Sequence, residues 1–169
     1  MQDKEKPEIS AGVVVMRVDP KKGPCVLTLR IGRRFDLPKG HVEKEHLTSG
    51  DPILACAADE LDQEADITLL PIGSSLDQNT QVAALMSDSY YICSNINSKT
   101  GAVKKNVYLY AAETQCPRAV IKPNPDNGIM EHDEAVWIPF GKVESSAIHP
   151  YLIPGVVWAM SVFKSVHGA

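Results

Sequence analysis

The chain has no run of about 18 apolar residues, the length a helix needs to cross a bilayer, so a membrane span is not expected. Its opening residues, MQDKEKPEIS, lack the apolar core of a secretory signal, which points to an intracellular, cytoplasmic protein. Lys and Arg nowhere form a long block and the formal net charge is −4, so strong non-specific binding to nucleic acid is not expected, although a local basic pocket is compatible with both facts. None of the four cysteines (Cys25, Cys56, Cys93, Cys116) is spaced C-x-x-C, which leaves free, mostly buried thiols of a reducing compartment as the simplest reading. Repeats, linkers and low-complexity segments are missing too. With 169 residues, 44% of them hydrophobic, the chain suits one domain over residues 1–169, the first eight forming a flexible tail.

What is present alternates between β-rich runs and turn punctuation. ISAGVVVMRV (Ile9–Val18) and CVLTLRI (Cys25–Ile31) flank DPKKGP and should pair as a hairpin. RFDLP is a short third strand stopped by Pro38 and Gly40, and the polar VEKEHLTSGD is expected to be a loop. Asp51 before Pro52 is a helix start, because Asp caps and Pro is tolerated at the first helical position. The helix should run from Pro52 to about Ala65. Further strands are expected in Ile67–Ile72, Asp88–Ile96, Asn106–Thr114 and in AVWIPF, with a second amphipathic helix after Pro154. Strands on both sides of a central helix, with a C-terminal helix, argue α+β architecture, an α/β/α sandwich.

On a helical wheel Ile53, Leu54, Ala57, Ala58, Leu61 and Ala65 fill one arc, and Glu60 and Glu64 lie roughly 40° apart just beyond its edge. They sit at the seam between core and solvent. Gly40 leaves its carbonyl uncovered by a bulky side chain, and Lys39 beside it is a cation. Two carboxylates one turn apart with a loop carbonyl suit Mg²⁺ or Mn²⁺ and a pyrophosphate; equally, an i,i+4 pair of Glu is a common solvated face.

FDLPKGHVEKEHLTSGDPILACAADELDQEADI (Phe35–Ile67) resembles the box of the Nudix hydrolases, G-x5-E-x7-R-E-U-x-E-E-x-G-U with U aliphatic. Gly40 matches the first glycine, and Glu60, Leu61, Glu64 and Ile67 match within DELDQEADI. The lead-in LPKGHVE and the later KNVYLYAAE and EHDEAVWIP look most like the diadenosine tetraphosphate hydrolase branch. The likeness spans about Ile9 to Phe140 and implies a mixed sheet between the box helix and the C-terminal helix. The box is degenerate. Asp59 stands where the family has Arg, Gln63 where it has Glu and Asp66 where it has Gly, and the gap from Gly40 to the helix is about five residues longer. Glu45 falls one position early for the first Glu of the box, with Glu43 a competitor. In the family the Arg orients a helix Glu, whereas Asp59 adds repulsion.

The resemblance implies a metal-dependent pyrophosphohydrolase with Mg²⁺ or Mn²⁺, acting on a nucleoside diphosphate-linked substrate such as diadenosine tetraphosphate. It implies Gly40, Glu60 and Glu64 as metal ligands and Glu64, Glu60 and Glu131 as catalytic residues, Glu131 ahead of Glu134. Lys39, Arg30, His41 and Tyr108 are the candidates for substrate contact. Arg33, with Arg34, suits a solvated turn, and Tyr108 and Tyr110 share one sheet face as a base platform or as core. His46, His132, His149 and His167 have no ligand spacing and are expected at the surface. The alternative function is a weakened or inactive Nudix-fold module that binds nucleotide, RNA or a protein partner. Trp158, Met160 and Phe163 of the last helix offer a homodimer surface or pack on the domain's own sheet.

Overall fold

Strand β1 (Glu8–Asp19) carries two different partners along one edge, and that division makes the site. Its C-terminal half pairs antiparallel with β2 (Gly23–Ile31) from Met16↔Val26 to Asp19↔Gly23. Its N-terminal half pairs with the short β4 (Lys39–His41), Ala11 opposite Gly40. Between these, β3 (Arg34–Asp36) folds back on β2. The sheet therefore parts between β3 and β4 and leaves an opening over the Gly40 end. The computed structural model describes residues 6–168. Of the expected tail, residues 1–5 lie outside that range, and Glu8 already belongs to β1.

The other edge of β1 runs parallel to β8 (Val103–Glu113) over nine residue pairs. Antiparallel β7 (Tyr91–Ile96) and β6 (Val82–Leu85) extend the sheet from β8, β5 (Thr68–Leu70) lies parallel to β6, and β9 (Glu134–Pro139) closes on β2. Helix α1 (Pro52–Ala65) covers one face and α2 (Ile153–Val166) the other. This is the α+β sandwich with a mixed sheet that the sequence implied.

The apolar run of β1 is explained by burial on both faces. Ala11, Val13 and Val15 pack with Cys56, Ala57, Leu61 and Ala65 of α1, while Val14 and Met16 pack with Val156, Ala159 and Phe163 of α2. Trp158 and Met160 are partly buried against that second core, while Val157 and Val166 of α2 are exposed. Asp51 caps α1 through Oδ1, which accepts the Leu54 amide at 3.1 Å. All four cysteines are free and buried. Among the described residues no helix is long and apolar enough to cross a membrane.

Two expectations need correction. KGH does not end the third strand but forms β4, because Pro38, though it lacks an amide, still offers a carbonyl that accepts the Val13 amide at 3.1 Å. The expected loop VEKEHLTSGD contains a 3-10 turn, Lys44–Thr48, pinned by a buried His46.

Candidate active site

Glu60 and Glu64 leave α1 one turn apart and both meet β4. The Lys39 backbone amide donates to Glu64 Oε1 at 3.0 Å, and the Glu64 side chain is only 10% exposed. Glu60 lies directly over Gly40: a Cβ built on that glycine would fall on the Glu60 carboxylate. A larger residue there would have to push the Glu60 carboxylate aside. The Gly40 carbonyl, expected to be uncovered, instead faces the Cys56 thiol, whose Sγ donates to it at 3.4 Å.

The loop before β9 adds the third carboxylate. Glu64, Glu131 and His132 each bring one ligating atom to within 4.8 Å of the others, and Asn124 Nδ2 donates to Glu131 Oε1 at 2.6 Å. His132 is buried rather than at the surface, with Nδ1 3.9 Å from Glu64 Oε2. Glu134, the competitor of Glu131, lies on β9 in an ion pair with Arg30 at 2.8 Å.

These residues line a cleft of about 570 Å³ that also takes in Asp36, His41, Gln63, Lys105 and Lys122. Burial pushes the Glu64 carboxyl up to about 9, with the Glu60 charge adding to it against the opposing Lys39 amide hydrogen bond. Burial, then the charges of Asp59 and Glu131, push Glu60 up to about 7. Lys39 turns its ammonium to Asp36 at 3.2 Å, both largely buried. Burial pushes Lys105 down, and the Lys39 charge adds to that. Desolvated carboxylates with lysines among them in one cleft form an oxygen donor set that suits a hard divalent cation bound with an anionic phosphate chain.

Of the residues expected to contact substrate, Lys39 and His41 line the cleft, and His41 Nε2 lies 3.5 Å from Glu8 Oε2. Arg30 and Tyr108 do not line it. Arg30 is engaged by Glu134 and by Asp133 at 3.1 Å, and Tyr108 packs beneath α1 with Tyr90 at 5.0 Å between ring centroids. Tyr110 is core on the same face. Sequence reasoning passed over Asp36, Lys105, Lys122 and His132; only the last had a signal, as the neighbour of Glu131 in EHDE.

Two of the departures from the box, Asp59 and Asp66, find a local partner. Asp59 is not simply repelled: His46 lies with Nε2 at 3.0 Å from Asp59 Oδ2. His46 was expected at the surface and is buried. Asp66 ends α1 in the left-handed region, φ 57°, where the box has glycine, and Lys122 Nζ reaches its carboxylate at 3.2 Å. Asp visits this region more readily than most residues.

Solved structures share this fold. The chain is similar to the C. elegans Ap4A hydrolase in its binary complex, at 20% identity over 94% of this chain and 98% of that one, with a TM-score of 0.66. It is similar to the NUDIX domain of Shewanella oneidensis NrtR complexed with ADP ribose, at 10% identity over 96% and 90% of the two chains and a TM-score of 0.60. A third is the MutT protein from Methanosarcina mazei Go1, at 18% identity over 96% and 99%, with a TM-score of 0.57. No family model and no curated protein matches the sequence. The chain has the Nudix fold.

Proposed function

We propose that the protein is a metal-dependent pyrophosphohydrolase acting on a nucleoside diphosphate-linked substrate, a dinucleoside polyphosphate such as diadenosine tetraphosphate. The observation that carries this is that Glu64, Glu131 and His132 bring ligating atoms within 4.8 Å of one another in a cleft also lined by Glu60, Lys39, Lys105 and Lys122. Glu60, Glu64, Glu131 and the Gly40 carbonyl are the groups that would hold Mg²⁺ or Mn²⁺. Such an ion neutralises phosphate charge and lowers the pKa of bound water. Glu64 Oε1 is occupied by the Lys39 amide, so Oε2 is the oxygen left to accept a proton from an attacking water. Lys105 would bind phosphate oxygens, and Lys39 and Lys122 would do so on leaving Asp36 and Asp66, with His41 also lining the cleft. The polyphosphate choice is supported by the C. elegans neighbour. Four buried free thiols suit the reducing cytoplasm as its compartment.

Incubation with diadenosine tetraphosphate, a nucleotide sugar and a capped oligonucleotide, with Mg²⁺ or Mn²⁺ and with EDTA, tests this. Metal-dependent cleavage of diadenosine tetraphosphate ahead of the others is expected. One observation favours the alternative, a nucleotide-binding module without turnover: Gln63 removes a carboxylate from the cleft wall. If nothing is cleaved while a nucleotide raises the melting temperature, that alternative holds.

A further inference from the structure

The segment that lengthens the path from Gly40 to α1 is attached to the helix through one side-chain pair. His46 is only 5% exposed, and both ring nitrogens are engaged. Nδ1 accepts the Glu43 backbone amide at 2.8 Å, so the ring proton sits on Nε2 and is donated to Asp59 Oδ2 at 3.0 Å. The contact bridges 13 residues and fixes the 3-10 turn Lys44–Thr48 against α1. Asp59 immediately precedes Glu60, the carboxylate that fills the space over Gly40. By spacing, His46 is six residues after Gly40, the place of the first Glu in the box, and Asp59 stands at the place of its Arg.

We infer that His46 and Asp59 form a positioning pair that ties the inserted turn to α1 and sets Glu60 over Gly40. The inference rests on the proposed metal site but adds residues to it. Neither member needs to touch the ion or the substrate. Asp59 left without the imidazole donor would be free to swing away from the turn, and the middle of α1, from which Glu60 projects, would lose its link to that turn. Groups that orient metal ligands from the outer shell typically affect metal affinity about 10–100-fold when removed.

The test separates hydrogen bonding from charge. Asp59→Asn and Asp59→Ala remove the same negative charge, but only Asn keeps an oxygen that accepts from His46 Nε2. Mn²⁺ affinity is measured by titration on the full-length chain, and the melting temperature is measured in EDTA. Asp59→Ala is expected to weaken Mn²⁺ binding about tenfold or more, with Asp59→Asn within about threefold of wild type. His46→Glu and Asp59→Arg should each weaken it, and the double exchange should recover most of the loss. Equal effects of Asn and Ala, or no recovery in the double exchange, overturn the pair. So does a fall in melting temperature in EDTA with Mn²⁺ affinity unchanged, which would make the contact structural only. If the wild-type chain binds no Mn²⁺ at all, the proposed metal site falls as well.

Discussion

The backbone amide of Lys39 donates to Glu64 Oε1 at 3.0 Å, joining β4 to α1 across 25 residues of chain. This bond fixes one oxygen of a nearly buried carboxylate and leaves the other toward His132. A carboxylate held this way without a cation is costly, since desolvation disfavours its charged form. Glu64→Gln keeps the accepting oxygen and removes the charge. In EDTA it should melt higher than wild type, by about 2–4 °C for each kcal/mol of relief. It should also lose Mn²⁺-induced stabilisation and lower kcat by about 10²-fold or more. Thermal melts with and without Mn²⁺, beside a turnover assay, check both halves; a lower melting temperature in EDTA would contradict the first.

The same desolvation sets a pH dependence. Glu64 is pushed up to about 9 and Glu60 to about 7 from an ordinary value of 4.5. Between 4.5 and those values the folded chain binds more protons than the unfolded chain, so stability falls as pH rises. The Glu60 contribution is complete near pH 7 and the Glu64 contribution near pH 9. Denaturant unfolding in EDTA at pH 5.5, 7 and 8.5 should therefore show declining stability, and Glu64→Gln should flatten the decline above pH 7. A rise in stability over this range, with the Gln variant parallel to wild type, would refute the assignment.

Gly40→Ala places a Cβ on the Glu60 carboxylate, whereas a Cβ at Gly50 would meet open space. Neither glycine has a positive φ, so strain does not separate them. Gly40→Ala is expected to displace Glu60 and weaken Mn²⁺ binding about tenfold or more, with Gly50→Ala close to wild type. Titration of both variants with Mn²⁺ decides it. Equal affinities would mean that Glu60 rotates aside at no cost to the site.

The helix and its two carboxylates were legible because they rest on local rules: an Asp-Pro start, a 3.6-residue apolar period and an i,i+4 spacing. The strands of the central sheet were legible for the same reason. What was not legible depends on approach across the chain. His132 and His46 carry no spacing signal, since their partners Glu64 and Asp59 lie on α1 and each burial follows from packing onto it. Lys105 enters the cleft because parallel pairing sets the start of β8 opposite Glu8 of β1, the strand that also carries β4, and Lys122 enters it on the loop before β9; no local pattern announces either. Arg30 looked available for phosphate because its strand alternates in polarity, but β9 brings two acids to it.

Those two acids give Arg30 a different task. Its guanidinium donates to Glu134 and Asp133 and to the Gly32 carbonyl, its own carbonyl accepts the Asp133 amide at 2.7 Å, and Asp133 accepts the Gly32 amide at 2.8 Å. The closing end of the loop that carries Glu131 and His132 is thereby fastened to β2. Because all three charged side chains are partly exposed, the ion pairs themselves contribute only about 0.5–1 kcal/mol to stability. The effect on placement should exceed the effect on folding. Arg30→Ala is expected to leave the melting temperature within a few degrees of wild type while lowering kcat roughly tenfold, because Glu131 and His132 lose their fixed approach to Glu64. Steady-state kinetics on diadenosine tetraphosphate separates this from a phosphate-binding role: a contact to bound phosphate that is equal in ground and transition states would raise KM and leave kcat unchanged. A rise in KM alone would return Arg30 to the substrate and remove it from the loop.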